Sequence, residues 1–293
     1  MQKGVYNRKA IIMLWITSAI WGFAFVAQRA GMEFIGPYTF NGIRFLLGSV
    51  SLIPLIFWMK HKQIGVAAKQ KNILKGGLLA GVVLFAGASL QQAGMVYTEA
   101  GKAGFITGFY VILVPLIGIF IGQHITKLLW MGAIIALCGL YLLTINGPFV
   151  LQKGDFLILL SAFFWAMHVQ IINKLVDTHA ALPLAAFQFA ICGLLSILTA
   201  SVFETIAIDT ILQAIWPLLY GGLMSVGIAY TLQVVAQQHV HPAYASIILS
   251  LETVFAVIGG WIFLHEMLSF RNILGCLLML AGIVIVQIWG SKR

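Results

Sequence analysis

The chain has 293 residues, of which 61% are hydrophobic and only 9% are Asp, Glu, Lys or Arg. Soluble domains carry about 25% charged residues, so this composition excludes an ordinary soluble domain, a disordered chain, a disulfide-bonded scaffold and a nucleic-acid-binding domain. The net charge of +9 comes from basic residues spread between apolar segments, a distribution typical of membrane orientation signals.

Ten apolar windows follow one another along the chain, each long enough for a helix that crosses a hydrocarbon core of ~30 Å. They cover residues 9–30, 37–58, 73–95, 101–122, 127–146, 155–175, 180–203, 211–235, 241–264 and 271–290. The first window exceeds the hydrophobic region of a signal peptide, about 7–15 residues, so we expect it to be retained. We predict an all-α integral membrane protein with ten transmembrane helices.

The distribution of Lys and Arg predicts the orientation of these helices. With a cytoplasmic N-terminus, twelve basic residues lie on the cytoplasmic side: Lys3, Arg8, Lys9, Lys60, Lys62, Lys69, Lys71, Lys75, Lys127, Lys174, Lys292 and Arg293. Four lie on the opposite side: Arg29, Lys102, Lys153 and Arg271. Because short cytoplasmic loops carry an excess of Lys and Arg, we expect both termini in the cytoplasm and the protein in the inner or plasma membrane.

The two halves of the chain, 1–146 and 147–293, resemble each other weakly but in order. Segments 17–22, 89–91, 107–111 and 129–132 match 161–166, 231–233, 250–254 and 272–275 at offsets of 144, 142, 143 and 143, and Pro37 matches Pro183 at 146. Each half holds five predicted helices, an odd number, so the second half must be inverted in the membrane. Inverted repeats are typical of secondary transporters, which bind substrate at the repeat interface.

Two segments resemble the EamA family of the drug/metabolite transporter superfamily. Residues 21–26, W-G-F-A-F-V, are similar to the W-G-x-x-F-V signature of that family, and residues 250–275, SLETVFAVIGGWIFLHEMLSFRNILG, are similar to its second landmark. The resemblance covers essentially the whole chain. It implies ten helices in two inverted five-helix repeats and the movement of small metabolites, often outward.

The chain also departs from the family pattern. Thr253 stands where the family commonly has Pro, and His265 precedes Glu266 where Gly is common. In the first half, Tyr110 lies opposite Thr253 and Gln123 lies opposite Glu266. The resemblance does not transfer a substrate, because members move different solutes.

Two ionisable residues lie deep in predicted helices, where a charge is costly and indicates a functional site. Arg44 lies ~10 Å inside the second helix and Glu252 ~16 Å inside the ninth, at 1.5 Å per residue. Glu252 could bind a protonated amine, carry a coupling proton, or make a structural bond to a neighbouring helix or to Arg44. Arg44 could pair with Glu252 or a substrate carboxylate, or extend to the outer interface as an anchor.

Uncharged residues complete the predicted substrate pathway. Gln91 and Gln233 occupy matching places in the two repeats, as do Thr107 and Ser250, and the family resemblance implies that their helices line the central cavity. The aromatic candidates for stacking on a substrate are Trp21, Phe109, Tyr110, Trp165 and Tyr230. His168 could relay protons or serve as a packing residue.

No enzyme motif is present: the sequence has no Walker A loop, no complete H-E-x-x-H and no G-x-S-x-G. His239 and His241 lack a third metal ligand, so we expect no metal and no cofactor. We predict a secondary transporter that exports a small organic metabolite, amino-acid-like, cationic or amphipathic, by alternating access, with protons as a coupling partner. The alternatives are a passive channel and a non-transporting sensor or scaffold protein. The sequence is also compatible with a homodimer.

Overall fold

A computed structural model describes residues 7–62, 73–98, 100–144, 152–263 and 269–290. The main helices of this part of the chain are ten in number, some built from consecutive segments, and we number them in chain order. They are α1 (Arg8–Gly31), α2 (Pro37–His61), α3 (Ile73–Met95), α4 (Ala100–Gly108 and Tyr110–Phe120), α5 (Lys127–Thr144), α6 (Lys153–Leu175), α7 (Ala181–Phe203), α8 (Ile215–Leu219, Tyr220–Tyr230 and Thr231–Ala236), α9 (Pro242–Leu249 and Glu252–Phe263) and α10 (Phe270–Gly290). We call the side at which α1 begins and α10 ends the termini side.

The helices confirm the all-helical membrane fold predicted from hydropathy. By length and composition, eight are long apolar helices and two, in α5 and α10, are shorter. The boundaries agree within a few residues except at α8, where the predicted start at residue 211 is wrong. Residues Ile208–Gln213 form a separate short helix, and Ala214 separates it from α8.

Equivalent helices of the two halves run in opposite directions. In the contact between α2 and α7, Gly42 lies against Ile197 and Gly193 lies against Leu46, so the residue order reverses across the contact. In the contact between α3 and α7, by contrast, Gly77 lies against Phe187 and Gly81 lies against Ile191, so the residue order is kept. This is the arrangement that inversion of five helices requires.

Four glycines allow α5 and α10 to cross closely. They form two equivalent pairs, Gly132 with Gly282 and Gly139 with Gly275, and in each pair a Cβ on one glycine would lie within 3.0 Å of the backbone oxygen of the other. Small residues let membrane helices approach until their backbones touch. Equivalent glycines of the two repeats therefore form the close contact between α5 and α10, which joins the two halves.

We expect Gly139→Ala to destabilise the protein by about 1–3 kcal/mol, the usual cost of overpacking. The added Cβ would lie 2.6 Å from the oxygen of Gly275 and 2.8 Å from the amide of Met279, and neither backbone atom can move aside alone. Gly104→Ala is the matched control, since its Cβ would meet only Thr253 at 3.5 Å. The midpoint of thermal unfolding in detergent should fall for Gly139→Ala and not for the control.

The three helices nearest the centre of the bundle are irregular. Phe109 interrupts α4 between Gly108 and Tyr110, and residues 250 and 251 interrupt α9 just before Glu252. The break in α9 forms although Thr253 replaces the proline common in the family. In α8, Tyr220–Tyr230 is a π-helix, a conformation found mostly as short segments at functional sites.

The N-terminus of α2 is held by a carboxylate from α7. Pro37 opens the helix, and Glu204 accepts hydrogen bonds from the amides of Tyr38 and Thr39, both at 2.8 Å. A negative charge at this position also interacts favourably with the helix dipole. The contact fastens α2 to α7 on the side opposite the termini.

Candidate functional site

A cavity lies between seven of the ten helices. It is lined by Trp21, Ala24, Phe25, Gln28, Arg44, Gln91, Thr107, Tyr110, Trp165, Val169, Ser225, Tyr230, Gln233, Leu249 and Glu252. These residues come from α1, α2, α3, α4, α6, α8 and α9. Apolar walls with a few convergent polar groups are typical of a small-molecule site.

The structure brings most of the predicted site residues into this cavity and leaves three elsewhere. Nine of them line it: Trp21, Arg44, Gln91, Thr107, Tyr110, Trp165, Tyr230, Gln233 and Glu252. Phe109 and Ser250 are not among the lining residues, and the hydroxyl of Ser250 donates to the oxygen of Ile247 in its own helix at 2.8 Å. His168 lies between α6 and α7, where its Nε2 is 2.8 Å from Oε1 of Gln188.

Glu252 owes its position to the break in α9. It is the first residue of Glu252–Phe263, where the unpaired amides and the dipole of a helix favour a negative charge. Its Oε1 accepts a hydrogen bond from the hydroxyl of Tyr110 at 3.3 Å, which is longer than the roughly 2.5–3.0 Å usual for such bonds. The carboxyl group is thus buried but loosely held.

Arg44 lies inside the protein and not at the membrane interface. Only 2% of its surface is exposed, and its Nε donates to Oδ1 of Asn41 at 2.9 Å. Asn41 is itself held by the oxygen of Ala88 at 3.1 Å. The guanidinium lies over the ring of Phe45 at 4.9 Å, and within the described residues its two terminal amines have no acceptor. The anchoring role considered from the sequence does not fit this position.

Arg44 and Glu252 line the same cavity without a direct ion pair. No nitrogen of Arg44 lies within 4.0 Å of a carboxylate in the described part of the chain, and Glu252 has only Tyr110 as a side-chain partner there. Direct pairing of the two residues, one of the structural roles considered above, is therefore absent. Burying an unpaired charge is costly, so either group in its charged form would bind a ligand group of opposite charge favourably.

Three aromatic rings from the two repeats meet in the cavity. The ring of Tyr230 lies 4.4 Å from that of Trp21 and stacks on that of Trp165 at 6.1 Å. Trp21 and Trp165 are equivalent residues of the two repeats, so one tryptophan from each half faces the same tyrosine. The indole of Trp21 donates to the oxygen of Ser225 at 3.2 Å, which ties α1 to the π-helical part of α8.

The two matched polar pairs have different outcomes. Both Gln91 and Gln233 line the cavity, and Gln91 donates to the hydroxyl of Thr107 at 3.0 Å. Of the other pair, only Thr107 lines it. Sequence reasoning did not single out the apolar and small lining residues, among them Ser225 and Leu249, because nothing in their apolar segments distinguishes them from lipid-facing positions.

The part of the chain that the structure describes holds no group of three His, Cys, Asp or Glu residues that could bind a metal ion. His241 has another role: its Nδ1 accepts from the amide of Ala243 at 3.3 Å and caps α9. The pair His265 and Glu266 lies outside the described residues.

Comparisons with known proteins bear on the family and the fold. The model of the EamA-like transporter family matches twice, over residues 8–145 and 152–288. The "Uncharacterized transporter YoaV" of Bacillus subtilis (strain 168) is 28% identical, over 96% of this chain and 98% of its own. A "Probable amino-acid metabolite efflux pump" of Escherichia coli (strain K12) is 27% identical, over 60% of this chain and 57% of its own. One crystal structure superimposes with a TM-score of 0.81 over 98% of both chains at 15% identity, which shows a shared fold.

Proposed function

Since the chain belongs to the EamA-like transporter family, a family of membrane transporters and not of enzymes, we propose that it exports a small zwitterionic metabolite by alternating access. The substrate class that we propose is an α-amino acid with a large apolar or aromatic side chain. In this proposal the halves 1–146 and 147–293 exchange conformations across the cavity. Both termini lie in the cytoplasm, as the Lys and Arg distribution indicates.

The observation that carries the proposal is the pair of opposite charges in the cavity. Among its lining residues, Arg44 and Glu252 are the only Asp, Glu, Lys or Arg side chains, and they do not pair with each other. The planar guanidinium offers its terminal amines to a carboxylate in a bidentate arrangement. Glu252 offers a carboxylate to an ammonium group. One zwitterion satisfies both charges at once.

The remaining walls suit an apolar side chain. Trp21, Trp165 and Tyr230 present aromatic faces, and Phe25 and Leu249 are apolar. Stacked or edge-to-face aromatic contacts contribute about 0.5–1.5 kcal/mol beyond burial. The relative from Escherichia coli, whose name refers to amino-acid metabolites, supports the same substrate class.

Glu252 also offers a means of coupling to protons. An ionised carboxyl group in this buried position needs a positive partner, and a proton and a substrate ammonium group are alternatives for the same site. Binding of one displaces the other, so substrate leaves as a proton enters. This exchange makes transport a proton antiport.

The test is counterflow in proteoliposomes with three matched solutes: phenylalanine, phenethylamine, which lacks the carboxylate, and 3-phenylpropionate, which lacks the amine. We expect accumulation of labelled phenylalanine only when unlabelled zwitterion is trapped inside. Equal exchange of all three solutes would contradict zwitterion recognition. Flux without counterflow would indicate a channel, and no flux of any solute through folded protein would indicate a sensor or scaffold.

A further inference from the structure

Three glutamine side chains join helices on the termini side of the cavity. Nε2 of Gln170 in α6 donates to the oxygen of Val114 in α4 at 2.8 Å, and Nε2 of Gln123 donates to Oε1 of Gln170 at 2.8 Å. Nε2 of Gln237, at the end of α8, donates to the oxygen of Val169 in α6 at 2.9 Å. We call Gln123, Gln170 and Gln237 the glutamine latch; it connects α6 to both α4 and α8.

The end of α4 is shaped to hold this contact. Gly122 has a φ of 81°, and the amides of Gly122 and Gln123 donate to the oxygens of Ile119 and Gly118 at 3.0 and 2.8 Å. This is the Schellman arrangement that commonly ends helices at a glycine. At Gly118 a Cβ would lie 2.6 Å from Oε1 of Gln123 and 3.1 Å from Nε2 of Gln170. The two glycines therefore aim Gln123 at Gln170 and leave room for the paired amides.

The latch lies directly beside the cavity. Val169, whose carbonyl oxygen accepts from Gln237, is itself a lining residue. On the other side the lining extends to Gln28, three residues before the end of α1, or about 4.5 Å along the helix. The latch thus closes the cavity towards the termini, while the cavity extends in the opposite direction.

Two of the three latch glutamines have no glutamine at the equivalent position of the other repeat. At the repeat offsets of 144 and 142, Gln170 corresponds to Val26 and Gln237 corresponds to Met95, whereas the counterpart of Gln123, Glu266, lies outside the described residues. Hydrocarbon and thioether side chains cannot donate hydrogen bonds. The hydrogen bonds that Gln170 and Gln237 donate on the termini side therefore have no equivalent at Val26 and Met95.

We propose that the glutamine latch is the gate on the termini side, and that it biases the resting protein towards the conformation open on the opposite side. The latch breaks when substrate enters from the termini side and forms again behind it. The inference rests on the proposed function, because only alternating access requires the cavity to open to both sides in turn.

The test is the accessibility of a cysteine that replaces Leu249, a residue that lines the cavity, after the three native cysteines have been replaced. A membrane-impermeant maleimide is added from the termini side. Gln170→Leu removes one bond to Val114 and two reciprocal bonds to Gln123, and interhelical hydrogen bonds in membranes contribute about 0.6 kcal/mol each on average. We expect labelling to become about 20-fold faster, which corresponds to ~1.8 kcal/mol.

Ser161→Ala is the matched control on the same helix, because Ser161 donates only to the oxygen of Ile158 within α6, at 2.7 Å. Its labelling rate should equal that of the parent. Gln123→Ala, at a half-buried position after the helix end, removes only the two bonds of the amide pair and should accelerate labelling about eightfold. Gel filtration and tryptophan fluorescence verify that each variant is folded.

The labelling needs no substrate, so it separates the latch from the transport proposal. Wild-type labelling rates in folded Gln170→Leu and Gln123→Ala would overturn the latch. Faster labelling in both, together with no counterflow of any tested solute, would support the latch as a conformational gate and contradict the proposed transport activity.

Discussion

Arg44→Lys is expected to weaken the binding of phenylalanine about 100-fold. The guanidinium can donate two parallel hydrogen bonds to a carboxylate, whereas an ammonium group is a compact charge without that geometry. Charged hydrogen bonds contribute about 1.5–3 kcal/mol each, so the loss of one or two corresponds to this factor. The dissociation constant, measured by quenching of tryptophan fluorescence in detergent, checks the expectation, since Trp21 and Trp165 line the cavity.

Arg29→Lys is the control, since Arg29 is an exposed cation in the last turn of α1. Its phenylalanine affinity should equal that of the parent protein. A second comparison uses phenethylamine, which has no carboxylate and should bind Arg44→Lys and the parent equally weakly. An Arg44→Lys protein that binds phenylalanine as tightly as the parent would remove Arg44 from the substrate site.

Glu252→Gln is expected to abolish proton-driven export, with flux at least about 50-fold below the parent, close to that of empty liposomes. The amide keeps the shape of the side chain and can still accept from Tyr110, but it carries no charge and exchanges no proton. A lost charge–charge contact with a substrate ammonium group costs several kcal/mol when the site is buried. Uptake of labelled phenylalanine into inverted vesicles, measured over a range of imposed pH gradients, gives the flux.

Two further variants serve as controls for the Glu252→Gln result. Glu33→Gln changes an exposed carboxyl group near the end of α1 and should leave both flux and its pH dependence unchanged. Tyr110→Phe removes the hydroxyl and keeps the carboxyl group, so pH-dependent flux should persist at a reduced rate. If folded Glu252→Gln protein shows flux of normal size that still depends on pH, the carboxylate has a structural role only.

Hydropathy predicted the ten helices because the membrane leaves the backbone few alternatives. A segment in hydrocarbon must satisfy its own amides, so about 20 apolar residues form a helix almost regardless of their neighbours. The prediction failed at the start of α8, where residues 208–213 are a separate helix. The short helix ends before Ala214, whereas the sequence stays largely apolar through this residue. Hydropathy alone therefore could not detect the break between the two helices.

The candidate site was predictable in part. Arg44 and Glu252 stand out as charges within apolar segments, and Trp165 stands out as the repeat equivalent of Trp21. The positions of Ser250 and His168 could not be predicted, since Ser250 bonds within its own helix and His168 bonds to α7. A helix that is apolar on all sides carries little information about which side faces the protein interior.

The sequence by itself determined that this chain crosses the membrane ten times, as two repeats related by inversion, and that two charges lie deep within it. These are properties of short segments and of their spacing. Only the tertiary structure decided that Arg44 and Glu252 share one cavity without pairing, and that Gln170 joins α6 to α4 on the termini side. Such contacts depend on how closely distant helices approach, and glycines such as Gly118 and Gly139 permit those approaches only in the assembled bundle.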